Sequence, residues 1–121
     1  MVMPYYRLDS EKAKTLLPGV TIRPVWGERL MVLYLVLEPG AVVPDHTHPH
    51  EQMGYLLEGS WEMIIGGERK SLARGDGYLI PSNVNHSVVA GPEGAIALDI
   101  FSPPREEYKG EVPVLIPQRA T

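Results

Sequence analysis

Proline and glycine interrupt this chain at short, fairly regular intervals, and no other feature limits its fold as tightly. Twelve glycines and twelve prolines separate apolar runs of about five to eight residues, the spacing of strands in an all-β sandwich or barrel. The runs predict strands over Val20–Trp26, Leu30–Glu38, Gln52–Leu57, Trp61–Ile65, Arg69–Leu72, Tyr78–Ile80, His86–Ala90 and Ala95–Phe101. Turns are expected between them, at 27–29, 39–40, 58–60, 66–67, 74–77, 81–83 and 91–94. Along two of the strands, Trp61, Met63 and Ile65 alternate as core residues, and Met53, Tyr55 and Leu57 read as core on the opposite face.

Only Asp9–Leu17 has a helical look, with Asp9 or Ser10 able to cap one or two turns before Pro18 stops them. The tail from Ser102 carries Pro103, Pro104, Pro113 and Pro117, so it is expected to run extended over the barrel without a helix. With 121 residues, 44% of them hydrophobic, the chain suits a single domain, because two cores would each bury too little to offset the entropy of ordering the backbone. The expected layout is one domain over 1–121, with the barrel at about 19–101 and the tail at 102–121. Strand Leu30–Leu37 is apolar on both faces, which predicts that a second sheet or subunit covers its outer side and hence a homodimer.

A formal net charge of −4 gives no electrostatic attraction to DNA phosphates or an anionic membrane. There is also no room for a helix-turn-helix domain, so neither nucleic acid nor membrane is an expected partner. The longest apolar run is far short of a membrane span, and the N-terminus carries charges where a signal peptide needs an apolar stretch, so a cytoplasmic location is expected. No cysteine is present, so the chain can form no disulfide, and any metal must be held by nitrogen and oxygen.

Three of the four histidines fall within five positions, in HTHPH at 46–50, and the fourth is His86. On an extended chain His46 and His48 put both imidazoles on one face, close enough to share an ion. Gln52 keeps the same parity if a strand resumes after Pro49, whereas Glu51 does not. His86 has to arrive from a distant strand, which a barrel supplies. Taken alone, a His-x-His pair beside proline is more often an exposed loop. The surrounding pattern decides otherwise: G-x5-H-x-H-x3-Q-x6-G from Gly40 to Gly59, then G-x5-P-x-N-x2-H from Gly75 to His86.

Together these segments resemble the two motifs of the cupin superfamily. The resemblance implies a single-domain double-stranded β-helix, or jelly-roll barrel, holding one divalent metal ion through His46, His48, Gln52 and His86. It departs from the usual pattern at two points: Gln52 stands where a glutamate is usual, and Asn83 where a glycine is usual, asparagine also tolerating positive φ. His50 has ligand parity but follows Pro49 in the loop, and is placed behind the ligands or at the rim. Three imidazoles and an amide leave the ion's double charge uncompensated, which favours an anionic ligand. Manganese, iron, cobalt, nickel and zinc all suit three nitrogens and one oxygen, and the donor set does not choose among them.

The segment DIFSPPREEY, Asp99 to Tyr108, reads two ways. It can close a strand with an aspartate and continue as a solvated Arg–Glu–Glu surface. Alternatively, with Leu98 and Ile100 facing out, Asp99 and Phe101 point into the barrel, Asp99 as a proton carrier, Phe101 as a wall for a sugar ring and Arg105 as a fork for a carboxylate. Asp-x-Phe-Ser-Pro-Pro-Arg after the HxHPHEQ motif resembles the small cupins of pectin and alginate breakdown, which linearise unsaturated monouronates to open-chain keto sugars. That resemblance runs from about Gly19 to Tyr108. It implies an isomerase-type metalloenzyme acting on a small anionic sugar, with Asp99, Phe101 and Arg105 in turnover. The expected partner is a small anionic sugar or a keto-acid-like ligand, and a cupin dioxygenase, another metal-dependent isomerase and a non-catalytic metal- or sugar-binding module are the competing expectations.

Overall fold

The architecture is that of a computed structural model describing residues 5–8 and 13–109. The strands are β1 (Lys14–Leu17), β2 (Val20–Trp26), β3 (Met31–Leu37), β4 (Val42–His46), β5 (Glu51–Ile65), β6 (Glu68–Ala73), β7 (Gly77–Ile80) and β8 (His86–Ser102). A three-residue 3-10 turn follows at Glu106–Tyr108, and the described residues contain no α-helix. Accordingly, none of them forms a helix long and apolar enough to cross a membrane. All strand pairs are antiparallel, in the order β1-β2-β3-β8-β5-β6, with β4 also on β8 and β7 also on β5.

Two long strands organise this sheet. The first half of β8 lies between β4 and the second half of β5, while its second half lies between β3 and the first half of β5. The sheet therefore bends midway and closes over one core. β3 shows why: Met31, Leu33, Leu35 and Leu37 alternate inward and are at most 6% exposed. They meet Val20 and Ile22 of β2, Leu56, Trp61 and Met63 of β5, and Ala95, Ala97 and Phe101 of β8. Each large apolar side chain buried this way contributes roughly 1.5–3 kcal/mol.

The turns expected at 58–60 and 91–94 are not turns. Gly59 and Gly94 adopt φ of 77° and 78°, so each strand bends at its glycine and continues. A Cβ at Gly59 would sit 2.1 Å from the Gly94 carbonyl, so the two bends nest against each other. Register shifts at Leu56/Glu58 and Gly59/Trp61 also change which parity faces inward. Gln52, Gly54 and Leu56 point in before the bend, and Trp61 and Met63 after it. The expectation of Met53, Tyr55 and Leu57 as core is therefore corrected: Met53 is 55% and Tyr55 43% exposed, and Leu57 is half-buried.

The stretch Asp9–Leu17 is corrected likewise. Lys14–Leu17 pairs with β2 as a strand, since Leu16 and Leu17 pack on the core there, and residues 9–12, with both expected caps, lie outside the described set. β4 escaped the sequence reading because Pro44, Asp45 and His46 dilute its apolar pattern. The tail, expected to be free of helix, has one short turn that carries Tyr108 back onto the core. Pro113 and Pro117 lie outside the described residues.

Candidate metal centre and its pocket

His46 ends β4 and His86 opens β8, and the two are register partners. His48 lies two residues beyond His46, and Gln52 is the second residue of β5. The ligand atoms of His46, His48 and His86 all fall within 4.8 Å of one another. Gln52 Oε1 reaches to 3.0 Å from His48 Nε2.

Backbone carbonyls orient all three rings. His46 Nδ1 donates to Pro44 O (2.8 Å), His48 Nδ1 to His50 O (3.0 Å) and His86 Nδ1 to Val84 O (2.9 Å). A carbonyl only accepts, so the proton of a neutral His46 or His86 sits on Nδ1 and leaves the Nε2 lone pair free, whereas His48 has an acceptor at each ring nitrogen, His50 O and Gln52 Oε1. This is the usual way in which a second layer of contacts fixes a metal-binding histidine. Burial favours the neutral form of His48 and His86. It holds His48 below the usual histidine range, with the Arg105 charge adding to the effect, and pushes His86 down to about 4.

The residues fit a divalent cation. His86 Nε2 is buried without a hydrogen-bond partner, and a neutral His48 has one ring proton for two facing acceptors, His50 O and Gln52 Oε1. Converging unprotonated donors of this kind are costly to bury unless a cation joins them. The loops that bring them together are tied to each other. Asn83, at φ 64°, donates its backbone N–H to His48 O (2.8 Å), and Ser82 Oγ donates to Pro49 O (2.6 Å).

Beyond the histidines the pocket is lined by Leu33, Leu35, Trp61, Asp99, Phe101 and Arg105, among others. Asp99 is 3% exposed. It accepts hydrogen bonds from the Tyr78 hydroxyl and from the Gln52 side chain. Even so, burial outweighs these contacts and the nearby Arg105 charge, and its carboxyl is pushed up to about 6. Arg105 is 7% exposed and held by its neighbours: Nη1 donates to Tyr108 Oη (2.8 Å) and Nη2 to Glu107 (3.1 Å). Its guanidinium lies 4.1 Å from the Tyr108 ring centroid and 5.4 Å from that of Phe101, and its Nε is buried without a partner.

The structure thus brings His46, His48, Gln52, His86, Asp99, Phe101 and Arg105 to one pocket. Glu51 points outward. His50 contributes its backbone carbonyl to His48 and stacks edge-on against that ring at 5.4 Å. Arg23 stays on the outer face, 5.5 Å over the Tyr34 ring. Sequence reading missed Tyr78 and Tyr108. Tyr78 has the parity of Ile80, the register partner of Gln52, and that was the available signal.

Comparison with known proteins gives consistent results. A family model described as Cupin domain matches residues 33–101. The pectin degradation protein KdgF of Dickeya dadantii is 37% identical over 84 residues, covering 69% of this chain and 76% of that protein. The H2HPP isomerase of Bacillus subtilis is 29% identical over 83% of this chain, which spans only 43% of that protein's length. Among solved structures, KdgF from Halomonas sp. superposes with a TM-score of 0.81 at 27% identity, over 87% of this chain and 97% of that one.

Proposed function

The chain belongs to the cupin family, and on that premise we propose that it is a metal-dependent enzyme that linearises an unsaturated monouronate to an open-chain keto sugar. The observation that carries the proposal is the meeting, in one pocket, of a converging histidine set with a buried acid, Asp99, and a buried, pre-oriented Arg105. Similarity to a pectin degradation protein and to the Halomonas KdgF structure supports a sugar derived from pectin as the substrate class.

In this reading His46, His48, Gln52 and His86 hold one divalent ion. When bound, the ion supplies Lewis acidity to the oxygen on which negative charge develops. Arg105 binds the substrate carboxylate with its planar fork, and Phe101 lies against the ring. Asp99 takes the proton from the anomeric hydroxyl. The C–O bond to the ring oxygen then breaks, the anomeric carbon becomes an aldehyde, and the former ring oxygen becomes an enolate. Delivery of the proton from Asp99 to the enolate carbon gives the ketone, so the reaction is an isomerisation with no net gain or loss of atoms. A carboxyl pushed up to about 6 suits both proton steps near neutral pH.

The proposal includes a homodimer. Met53, Tyr55 and Leu79 are 43–55% exposed, and Met53 and Leu79 are register partners, so they form an apolar strip on the outer face of β5 and β7.

Loss of the substrate's ultraviolet absorbance tests the function, using metal-loaded wild type, Asp99→Asn and Arg105→Ala. Wild type is expected to accelerate the loss without consuming oxygen, Asp99→Asn to lose kcat, and Arg105→Ala to raise KM. Absence of acceleration by the metal-loaded wild type overturns the proposal, and oxygen uptake coupled to turnover would point to a dioxygenase instead.

A further inference from the structure

One inward row of the sheet is built around Asp99. Tyr78, Gly54 and Asp99 are register partners across β7, β5 and β8, so they lie side by side on one face of the sheet, with Asp99 lining the pocket. The Tyr78 hydroxyl donates to Asp99 Oδ1 across Gly54. A Cβ on Gly54 would lie 2.3 Å from that oxygen, 2.7 Å from Tyr78 Oη and 2.6 Å from the Leu98 carbonyl. Gly54 is not among the positive-φ glycines, so what it provides is space: without a side chain there, hydroxyl and carboxylate can meet. The other side of the row is fixed as well, since the Tyr78 ring lies 5.7 Å from the Trp61 ring and the Gln52 side chain also bonds Asp99.

We propose that Tyr78, acting through the gap left by Gly54, is a positioning residue that pins one oxygen of Asp99 and presents the carboxylate to substrate in a single orientation. This rests on Asp99 being the proton carrier of the reaction proposed above. Tyr78 is a dependable donor for this purpose because burial pushes its phenol far above the usual range and keeps it protonated. A misplacement of about 1 Å in a reacting group is enough to cost on the order of a hundredfold in rate.

A purely structural tyrosine would satisfy a buried carboxylate and affect stability alone. Tyr78→Phe keeps the ring and removes the donor. It is expected to lower kcat about tenfold to a hundredfold with KM changed less than about threefold and with metal content as in wild type. In an Asp99→Asn background the same substitution is expected to produce no further loss, because Tyr78 acts only through Asp99. Unchanged kcat in Tyr78→Phe, or an equal loss in both backgrounds, overturns the proposal. Should the single variant fail to fold, the comparison of Asp99→Asn with the double variant still decides, because a further loss of kcat in the double variant overturns the proposal.

A crystal structure of metal-free Tyr78→Phe provides a readout independent of turnover, with Asp99 expected to rotate or to occupy two conformers. If wild type proves inert on unsaturated uronates, the proposed reaction fails and this readout alone decides the positioning role. An Asp99 that keeps its wild-type orientation then overturns it.

Discussion

Gly54→Ala is the smallest change that tests whether the pocket is packed as described. The added methyl would meet Asp99 Oδ1 at 2.3 Å, the Leu98 carbonyl at 2.6 Å and Tyr78 Oη at 2.7 Å. Ordinary contact begins near 3.4 Å, so each neighbour has to retreat by roughly an ångström in an interior with few voids to take up the movement. Asp99 and Tyr78 can rotate away, but the Leu98 carbonyl belongs to the backbone of β8, so strand spacing has to open as well. Overpacking of this kind costs about 1–3 kcal/mol, and at about 4 °C per kcal/mol for a domain of this size the melting temperature should fall by about 4–12 °C. Calorimetry on the metal-free protein measures this, with Gly27→Ala as control: nothing lies within 4 Å of a Cβ there, and its expected effect is within about 0.5 kcal/mol. The same variant should lose kcat, because the displaced group is Asp99. A Gly54→Ala protein with wild-type melting temperature and turnover would refute the packing of the whole row.

Three further outcomes are expected. The fold holds a proton on Asp99 up to about pH 6, against 3.8 for the free side chain. The folded state therefore binds more protons between those values, so this contribution to stability, at most about 3 kcal/mol, is present below pH 4 and lost as pH rises to 6. Denaturant titrations of metal-free wild type and Asp99→Asn across this window should differ by that falling component, and parallel pH profiles would refute it. Metal at a free concentration a hundred times its Kd should raise stability by about 2.7 kcal/mol, an increment that chelation removes and that His86→Ala should largely lack in thermal unfolding. Met53→Glu, on the exposed apolar strip, should convert the proposed dimer to a monomer in sedimentation experiments while leaving turnover within about twofold of wild type, because the altered side chain faces away from the pocket.

Much of this arrangement was legible because strand parity is a strong local rule. His46 and His48, Gln52, and the pair Asp99 and Phe101 each occupy positions two or four apart on extended chain, and alternation alone sends them the same way. What parity could not reveal was where it resets. Glu58-Gly59-Ser60 and Gly91–Gly94 have the composition of turns, yet the strands continue, because Gly59 and Gly94 nest against each other, a contact between positions far apart in sequence. The misassignment of Met53, Tyr55 and Leu57 follows from that single reset. Tyr78 was illegible for a related reason: its role depends on what lies across two strand neighbours, and one of those, Gly54, acts by having no side chain. The carbonyls of Pro44, His50 and Val84 that orient the imidazoles belong to the backbone, which sequence composition does not describe.

The position of β8 also sets the order in which the site can come into being. Its first residue is His86 and its later half carries Asp99, and it pairs with β3, β4 and β5, all of which precede it in the chain. A nascent polypeptide that has released only as far as the HTHPHEQ segment displays His46, His48 and Gln52 with no barrel to hold them. The third imidazole, the acid and the closure of the core then arrive on one strand, through pairings distant in sequence that form slowly. If the cluster holds an ion as proposed, its full donor set is complete only when β8 has paired and the barrel has closed.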